Sequence, residues 1–421
     1  MTVIERFRVS EEEGTSAGQH AAAAPPADAP SLRGVRVVMV IGQLELGGSE
    51  RQTLALARYL KHQAGADVEV WGCYGGRGRV GEICEGYGIP WRVIPMPWRP
   101  WWGRAKKARR LAQFTLALRG ARADVLLPYI TLTNVFCGLT WKLTGAKVCI
   151  WSQREAGIHE PVGPRLKRWA TRLTPWFASN SRHGADYLIQ NFGLDPSRVC
   201  VIHNGVDLPA AERDRASWRA ELGVGEDCLL AVMVANLNLL KDHATLIRAW
   251  RVVVDRLAGR RAVLLLAGKF DGEETALKVL TFDLGLCESV KLLGPVRDVS
   301  GLLGACDLGV FSSHTEGSPN GVLECMAAGL PVAATDLPGV REAVGPEGQR
   351  FLAPHGDAEA LASRIVELAE NPAARAALGR ANRQRVETEF TYDRLGQQTS
   401  ALILRALGRA GGGEMSDAHG R

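Results

Sequence analysis

The sequence lacks any long apolar run. Hydrophobic residues make up 46% of its 421 residues, yet no stretch approaches the roughly 18 uninterrupted apolar residues that a membrane-spanning helix needs. The first segment also lacks an apolar centre flanked by basic residues, the mark of a signal peptide, and instead runs through three glutamates into an Ala/Pro-rich stretch. These features predict disordered tails at residues 1–33 and 409–421 and a soluble, cytoplasmic protein.

Paired cysteines are missing as well. The nine cysteines are odd in number, scattered along the chain and never spaced as Cys-x-x-Cys. This pattern is typical of reduced, mostly buried thiols in a cytosolic protein and argues against both a disulfide framework and a thiolate metal site.

Acidic residues are absent from one tryptophan-rich stretch. Residues 98–110 contain six lysine or arginine residues, three tryptophans and no acidic residue, and residues 165–176 repeat this mixture. Tryptophan suits the lipid headgroup layer, and clustered basic residues attract anionic lipid. One hypothesis is therefore a peripheral protein on the inner face of the cell membrane. The alternative is two helices with buried tryptophans and solvated basic faces. Nucleic acid is not expected as a partner, because no recognisable reader module is present.

Short apolar runs alternating with helical patterns predict two α/β domains. The first run, VRVVMVI at residues 35–41, ends in a glycine turn before a helical pattern, which is the opening of a parallel-sheet domain. The pattern restarts in the second half, so we expect two doubly wound sheets, at residues 34–205 and 206–390, with a final helix at 391–408 crossing back to the first domain. Further strand candidates are 68–71, 91–94, 124–127, 148–151, 176–178, 199–202, 229–234, 262–267, 290–293, 308–311 and 331–334.

One segment combines two glutamates with a glycine-containing loop and a helix start. The sequence SHTEGSPNGVLECMAAGLPV predicts a strand end, a loop, a helix and a further strand, with Glu316 on the loop and Glu324 inside the helix. Backbone amides near Asn320 and Gly321, at the helix N-terminus, favour a phosphate. The carboxylate of Glu324 can accept bonds from both hydroxyls of a ribose, and that of Glu316 from the hydroxyls of a hexose. Two glutamates at this spacing alone would indicate only a solvated helix face.

This segment closely resembles the Glu-seven residues-Glu signature of the retaining glycosyltransferases of family 4. The resemblance extends over nearly all of residues 34–407 and implies a GT-B fold, in which two Rossmann-like domains face each other across a cleft. It implies that the first domain holds the acceptor and the second the nucleotide-sugar donor. The implied catalytic residues are Glu316, Lys241 and Glu324. The implied donor-binding residues are Asn236, Gly268, Val296, Val299, Glu316, Gly317, Ser318, Pro319, Asn320, Gly321, Val322 and Glu324.

The segment VANLNLLKDHATL resembles the part of the family in which a lysine meets the donor diphosphate. Lys241 suits this role because a point cation adds to the amides of a helix start. The family usually carries an arginine a few residues earlier, where this chain has Asn236, so no two-cation clamp is expected. By resemblance, Gly268 lets the donor approach, and Val296 and Val299 lie in the loop that usually holds the nucleobase, with plain core packing as the alternative.

The first domain carries a second glycine loop. Gly47 and Gly48 permit positive φ and leave bare backbone for a sugar or phosphate, although a simple strand-to-helix turn is the alternative. Arg154, just past a strand, matches a family segment and is expected to face the cleft. Many relatives place a histidine after the fourth strand, whereas this chain has Tyr-Ile-Thr at residues 129–131, so no histidine base is assigned.

The resemblance implies a metal-independent transfer of a hexose, with retained configuration, to a glycan, lipid-linked or small-molecule acceptor. UDP or GDP is the expected carrier, with no cofactor and no metal. The chain shows no Asp-x-Asp site placed after a strand, which distinguishes it from magnesium-dependent transferases. Three alternatives stay open: a phosphorylase, although no pyridoxal-binding lysine is recognisable, a nucleotide-sugar epimerase, and a catalytically silent sugar-nucleotide-binding protein.

Overall fold

A computed structural model describes residues 30–155 and 162–408. Contacts divide the chain into two compact units, an N-terminal unit that ends at Gly205 and resumes at Tyr392, and a C-terminal unit, Val206–Thr391. Most of the predicted tails, residues 1–29 and 409–421, lies outside the described residues. The prediction is wrong for the described end of the first tail. Leu32 is fully buried, and its N–H donates to the carbonyl of Ala64 at 2.7 Å. The ordered fold therefore begins before the predicted end of the tail.

The N-terminal unit is built on a seven-stranded parallel sheet with strand order β3-β2-β1-β4-β5-β6-β7. Its strands are β1 (Arg36–Gln43), β2 (Asp67–Tyr74), β3 (Trp91–Val93), β4 (Val125–Pro128), β5 (Val148–Gln153), β6 (Trp176–Ser179) and β7 (Val199–Val201). Its described helices are α1 (Gly48–His62), α2 (Gly78–Gly86), α3 (Arg104–Gly120), α4 (Thr131–Thr144), α5 (Pro164–Leu173), α6 (Arg182–Phe192) and α15 (Tyr392–Ala406).

The C-terminal unit is built on a six-stranded parallel sheet with strand order β10-β9-β8-β11-β12-β13. Its strands are β8 (Leu229–Val234), β9 (Ala262–Ala267), β10 (Val290–Gly294), β11 (Leu308–Phe311), β12 (Val332–Thr335) and β13 (Leu352–Ala353). Its helices are α7 (Arg215–Leu222), α8 (His243–Arg256), α9 (Glu274–Asp283), α10 (Val299–Ala305), α11 (Asn320–Ala327), α12 (Pro338–Gln349), α13 (Ala358–Glu370) and α14 (Pro372–Glu389).

Both sheets are doubly wound, as predicted, because helices cover both faces of strands that are mostly apolar. Every residue of β9, AVLLLA, and of β11, LGVF, is buried, and β8 is nearly as enclosed. The predicted strands are confirmed to within two residues at their ends, except that β2 continues three residues beyond its predicted end. In each sheet the strand order reverses once, between β1 and β4 and between β8 and β11. Ligands of such sheets bind at the carboxyl ends of the strands at these switch points.

Helix α15 belongs to the N-terminal unit although it follows the whole of the C-terminal unit in sequence. Leu395, Leu402 and Ile403 are buried in the core of the N-terminal unit. Gly396 lets α15 approach α1 closely, since a Cβ at this position would lie 2.1 Å from the ring of Tyr59. The last helix is therefore part of the first core.

All nine cysteines are free thiols, as predicted. Seven are buried, Cys200 is half-buried and Cys287 is exposed. Burial raises the pKa of Cys73 and Cys84 to about 12, so these thiols stay protonated and pack as small apolar side chains. Within the described residues, every helix is too short or too polar to traverse a lipid bilayer.

Candidate active site

Lys241 and Glu316 meet at the switch point of the C-terminal sheet. Lys241 lies in the loop after β8, and Glu316 lies in the loop after β11. The ammonium Nζ of Lys241 forms an ion pair with the carboxylate Oε1 of Glu316. The side chains are only 23% and 8% exposed. Nζ also lies 5.4 Å from the ring centroid of Phe311. Two of the three predicted catalytic groups are thus brought together in a largely enclosed position.

The backbone fixes this pair by joining the two loops. The N–H of Asp242 donates to Ser312 O at 3.2 Å, and the N–H of His314 donates to Leu240 O at 3.0 Å. The hydroxyl of Ser313 also donates to Leu240 O at 2.9 Å. Because Lys241 and Glu316 stand on loops tied at three points, neither can shift far without the other.

Helix α11 begins against the end of β8. A Cβ at Gly321 would lie 2.0 Å from the carbonyl oxygen of Val234, so only glycine permits this approach. The helix starts at Asn320, with Pro319 before it in extended conformation, and Val322 is buried in the core. Glu324 follows one turn later and is half-buried. The first turn of α11 therefore presents its backbone amides at the same strand end as Lys241.

The loop around Glu316 is also backed by helix α12. A Cβ at Gly339, in the first turn of α12, would lie 2.4 Å from Gly317 O and 2.6 Å from Glu316 O. Gly317 is buried, while Ser318 beside it is half-buried. The close approach of α12 limits how far the backbone of this loop can retreat.

Asn236 and Gly268 join the ends of β8 and β9. A Cβ at Gly268 would lie 2.0 Å from the carbonyl oxygen of Ala235. The carboxamide oxygen of Asn236 accepts a hydrogen bond from the N–H of Lys269 at 3.2 Å. Asn236 thus braces the loop with its oxygen, a contact that an arginine at this position could not make, because a guanidinium has no acceptor atom.

The predicted nucleobase loop follows β10. Val296 and Val299 are half-buried and pack against the core of the C-terminal unit. Asp298 between them caps α10 and accepts hydrogen bonds from Gly301 N at 2.9 Å and Trp218 Nε1 at 2.8 Å. Burial by itself raises the pKa of Asp298, but these bonds and those from two further amides outweigh it and leave the pKa lowered. Asp298 is therefore an ionised anchor that fixes the position of both valines.

In the N-terminal unit, the carboxyl group of Glu50 lies beside the glycine loop. Glu50 is not among the site residues predicted from the sequence. Gly47 precedes α1 and Gly48 begins it, and a Cβ at Gly47 would lie 2.7 Å from Oε2 of Glu50. Glu50 is buried, and this burial raises its pKa. Its place three residues after the helix cap, where a capping box carries glutamate, was the available signal.

Arg154 is held inside the N-terminal unit. Its Nη1 donates to Asn204 Oδ1 at 2.8 Å, and its guanidinium lies 4.2 Å from the ring centroid of Tyr129. Neither partner belongs to the glycine loop. With Asn180 and Thr399, Arg154 lines a small pocket between the sheet and α15.

Ile130 stands in a strained backbone conformation at the switch point of the N-terminal sheet. Its φ is +66° and its ψ is 154°, a region that is essentially restricted to glycine. Its Cδ1 covers Gly42, where a Cβ would lie only 2.6 Å away. Such strain costs about 1–3 kcal/mol and clusters at functional positions. Ile130 lies within residues 129–131, the segment after the fourth strand in which many relatives were expected to carry a histidine.

The two basic, tryptophan-bearing stretches form helices α3 and α5 and the turn before α3, and both helices pack against α4. Trp101 is 72% exposed and Trp169 is 64% exposed. One member of the second stretch departs from the expected solvated basic face, and another lies in the strand predicted at residues 176–178. Lys167 is fully buried, with its Nζ 3.0 Å from the hydroxyl of Tyr187, and Trp176 belongs to β6.

Comparison with known families matches both halves of the chain. The description "Glycosyltransferase Family 4" matches residues 46–209, and "Glycosyl transferases group 1" matches residues 214–385. A D-inositol 3-phosphate glycosyltransferase of Saccharomonospora viridis is 32% identical over 228 residues, which are 52% of this chain and 52% of that protein. A GDP-mannose-dependent monoacylated alpha-(1-6)-phosphatidylinositol monomannoside mannosyltransferase of Corynebacterium glutamicum is 27% identical, over 48% of this chain and 54% of that protein. The chain thus spans about half the length of the curated relatives it matches.

Among solved structures, the chain is similar to Anabaena HepE in complex with UDP-glucose. The TM-score is 0.75 at 21% identity, and the match covers 89% of this chain and all of HepE. This likeness confirms the predicted fold class, GT-B with two Rossmann-like parallel sheets. With both halves matched in order on this fold, the chain belongs to glycosyltransferase family 4.

Proposed function

We propose that the chain transfers a hexose from a nucleoside-diphosphate sugar to an acceptor hydroxyl. The observation that carries this proposal is the Lys241–Glu316 pair at the switch point of the C-terminal sheet, beside the first turn of α11. A cation, a carboxylate and the backbone amides of a helix start at one strand end suit a donor that combines a diphosphate with hydroxyl groups. HepE, which has this fold, was solved with UDP-glucose, and this supports a nucleotide-sugar donor.

Lys241 and the amides near Asn320 and Gly321 are the groups proposed to receive the diphosphate. Negative charge on the β-phosphate grows as the bond to the anomeric carbon breaks, and fixed positive groups stabilise this charge without reorganising. An arriving diphosphate competes with Glu316 for the Lys241 ammonium. The carboxylate of Glu316 then becomes available to the hydroxyls of the sugar.

Glu324 is proposed to accept hydrogen bonds from the ribose hydroxyls. It stands one helical turn beyond the amides that would hold the phosphates, in a half-buried position. Val296 and Val299 are proposed to contact the base, because both keep part of their apolar surface exposed beside the same sheet edge. UDP and GDP are the expected carriers.

The acceptor is proposed to bind the N-terminal unit, with the glycine loop at Gly47 and Gly48 as its main contact. The buried carboxyl of Glu50 beside this loop adds a second group able to accept a hydrogen bond from an acceptor hydroxyl. Arg154 is already paired with Asn204, so we propose that it positions the loop after β5 rather than contacting the acceptor directly.

The transfer is proposed to retain the anomeric configuration and to need no metal ion. No protein nucleophile is required if a leaving phosphate oxygen takes the proton of the acceptor hydroxyl. The protein then accelerates the reaction by holding the two substrates in position and by stabilising the charge that develops on the departing phosphate.

The test is a panel of UDP- and GDP-sugars, each incubated with the full chain with and without candidate acceptors. Acceptor-dependent release of nucleoside diphosphate and a product heavier by one hexose are expected, with the anomeric configuration read by NMR. Donor binding without turnover on any acceptor would favour a silent binding protein. Isomerised donor without release of diphosphate would favour an epimerase.

We also infer that helices α3 and α5 hold the protein against an anionic membrane. Neither helix contains an acidic residue, and Trp101, Trp169 and Leu173 are exposed beside their basic side chains. Exposed tryptophan and clustered cations on one packed group of helices are the pattern of interfacial binding. The Corynebacterium relative carries the name of an enzyme for a phosphatidylinositol mannoside, which supports a lipid-linked acceptor.

Co-sedimentation with phosphatidylglycerol vesicles tests this inference. Binding at low salt is expected, with loss at high salt because charges at the surface are screened. Trp101→Ser combined with Trp169→Ser should abolish binding, whereas Phe282→Ser, which removes an equally exposed aromatic residue from the C-terminal unit, should not. Absence of binding at low salt would favour an acceptor free in solution.

A further inference from the structure

A cluster of two histidines and an aspartate lies in the C-terminal unit, next to the donor residues but separate from them. His314 is in the loop after β11, His355 is in the turn after β13, and Asp242 precedes α8 as its cap. The parallel order β8-β11-β12-β13 brings these three connections to one edge of the sheet.

The side chains of the cluster converge within coordination range of a single ion. Nδ1 of His314 and Nε2 of His355 lie 2.8 Å apart, and Nε2 of His314 lies 3.9 Å from Oδ1 of Asp242. One ligand atom of each residue can be chosen so that all three lie within 4.8 Å of one another. A tetrahedral ion with bonds of roughly 2.0–2.1 Å spaces its ligand atoms about 3.3 Å apart. The two short contacts use different nitrogens of His314, so its ring has to rotate before one nitrogen can share an ion with both partners.

The surroundings of the three residues suit a metal site with an open position. Asp242 is only 6% exposed, and the N–H of Thr245 donates to its Oδ1 at 3.1 Å, so the carboxylate is fixed before any ion arrives. Both imidazoles are exposed, which gives an ion a path in and leaves room for water as a fourth ligand. Within residues 30–155 and 162–408, no other three such residues converge in this way.

We propose that Asp242, His314 and His355 bind one divalent transition-metal ion, with Zn²⁺ as the best match. Imidazole nitrogen is a favoured ligand of zinc, copper and nickel, whereas magnesium and calcium prefer oxygen ligands. The ion joins the loop that carries Glu316 to the start of α8, one residue after Lys241. Its role is to fix these loops, and it takes no part in the transfer chemistry.

The proposal does not depend on the proposed transferase activity, and its test needs no sugar. The untagged full chain, carrying Cys287→Ser to remove the exposed thiol, is dialysed against chelator and titrated with Zn²⁺ by calorimetry. One ion per chain is expected, together with a rise in the thermal unfolding midpoint, because a ligand that binds only the folded state stabilises it. Co²⁺ in place of Zn²⁺ should give the visible absorption of a tetrahedral complex.

Variants identify the ligands. H314A and H355A should each weaken Zn²⁺ binding at least about tenfold and abolish the rise in midpoint, while H183A, which removes an exposed histidine from α6, should do neither. D242N keeps a capping side chain on α8 and should also weaken binding, which separates loss of the ligand from loss of the cap. Absence of stoichiometric Zn²⁺ binding, or binding unchanged in H314A and H355A, would overturn the proposal and leave the two rings as a hydrogen-bonded pair only.

Discussion

The ammonium of Lys241 and the carboxylate of Glu316 form an ion pair between residues 75 positions apart in sequence. The pair is mostly buried, and each partner neutralises a charge that would otherwise stand in a poorly solvated position. It also places two opposite charges at the point where a donor combining phosphates and hydroxyls would bind.

Removing the cation should therefore impair catalysis more than folding. We expect Lys241→Met to lower kcat by about 10²–10³-fold, the loss typical of one group that stabilises transition-state charge. Steady-state release of nucleoside diphosphate measures it. Lys278→Met breaks another Lys–Glu pair of the same unit, on the exposed face of α9, and should leave turnover unchanged. Equal turnover of wild type and Lys241→Met would remove Lys241 from the site.

Glu324 should matter for the donor and not for the acceptor. Glu324→Ala is expected to reduce donor turnover by orders of magnitude with an unchanged circular dichroism spectrum, because the ribose hydroxyls lose their acceptor. Calorimetric titration with the nucleoside diphosphate should show weaker binding. The matched control is Glu370→Ala, at the exposed end of α13. If Glu324→Ala binds the nucleotide as wild type does, its assigned contact is wrong.

Turnover should survive removal of metal ions. Lys241 and the helix amides are proposed to supply the positive charge that magnesium supplies in other transferases, so excess EDTA is expected to leave the rate within about twofold of the untreated rate. The measurement is product formation after dialysis against chelator, with and without added Mg²⁺. Complete loss that Mg²⁺ restores would contradict the metal-free mechanism.

Because His243 is buried with a lowered pKa, we expect the protein to lose stability in mild acid. Burial, and then the charge of Lys241, lower its pKa to about 4, despite the contact of its Nδ1 with Lys241 O. Between that value and its unfolded pKa of about 6.5 the unfolded state binds more protons, so the unfolding free energy falls as pH falls. We expect a loss of about 2 kcal/mol between pH 7.5 and pH 5 from this residue alone.

Urea unfolding of His243→Asn at both pH values measures this loss. The asparagine keeps a polar group near Lys241 O but does not titrate, so its unfolding free energy should fall by less than that of wild type. His62→Asn, at an exposed position in the other unit, should behave as wild type. Equal slopes for wild type and His243→Asn would show that another group titrates in this range.

Gly268 should not tolerate even a methyl group. A Cβ at this position would lie 2.0 Å from the backbone oxygen of Ala235, so the end of β8 would have to move. We expect Gly268→Ala to cost about 1–3 kcal/mol of stability, as overpacking does. Gly304→Ala is the control, because its Cβ would meet nothing and would favour helix α10. Thermal unfolding of both variants tests the prediction, which fails if Gly268→Ala is as stable as wild type.

The strands could be predicted because their residues are apolar on both faces, and the doubly wound order follows from the alternation with helices. The strand β13 was not predicted, since its two residues are too few to form a recognisable run. The meeting of Lys241 and Glu316 could be expected from topology, because the ends of β8 and β11 are neighbours at the switch point.

Other features depend on tertiary packing, which could not be predicted from the order of residue types in the sequence. Lys167 lies in a basic run, yet it shares the inward face of α5 with Ala170 and Thr171, three and four residues later, and is therefore buried. The strain at Ile130 is set by the turn from β4 into α4, and no residue preference would predict a β-branched side chain there. The His314–His355 contact joins loops 41 residues apart, which only the strand order explains.

The placement of α15 determines the order in which the cores of the two units can be completed during synthesis. The ribosome completes the C-terminal unit, whose core is finished by Phe390, before it releases Leu402 and Ile403, which complete the core of the N-terminal unit. The half that is translated first therefore reaches its mature packing last. A released chain truncated before residue 392 would keep every core residue of the C-terminal unit and leave the face of α1 around Tyr59 uncovered.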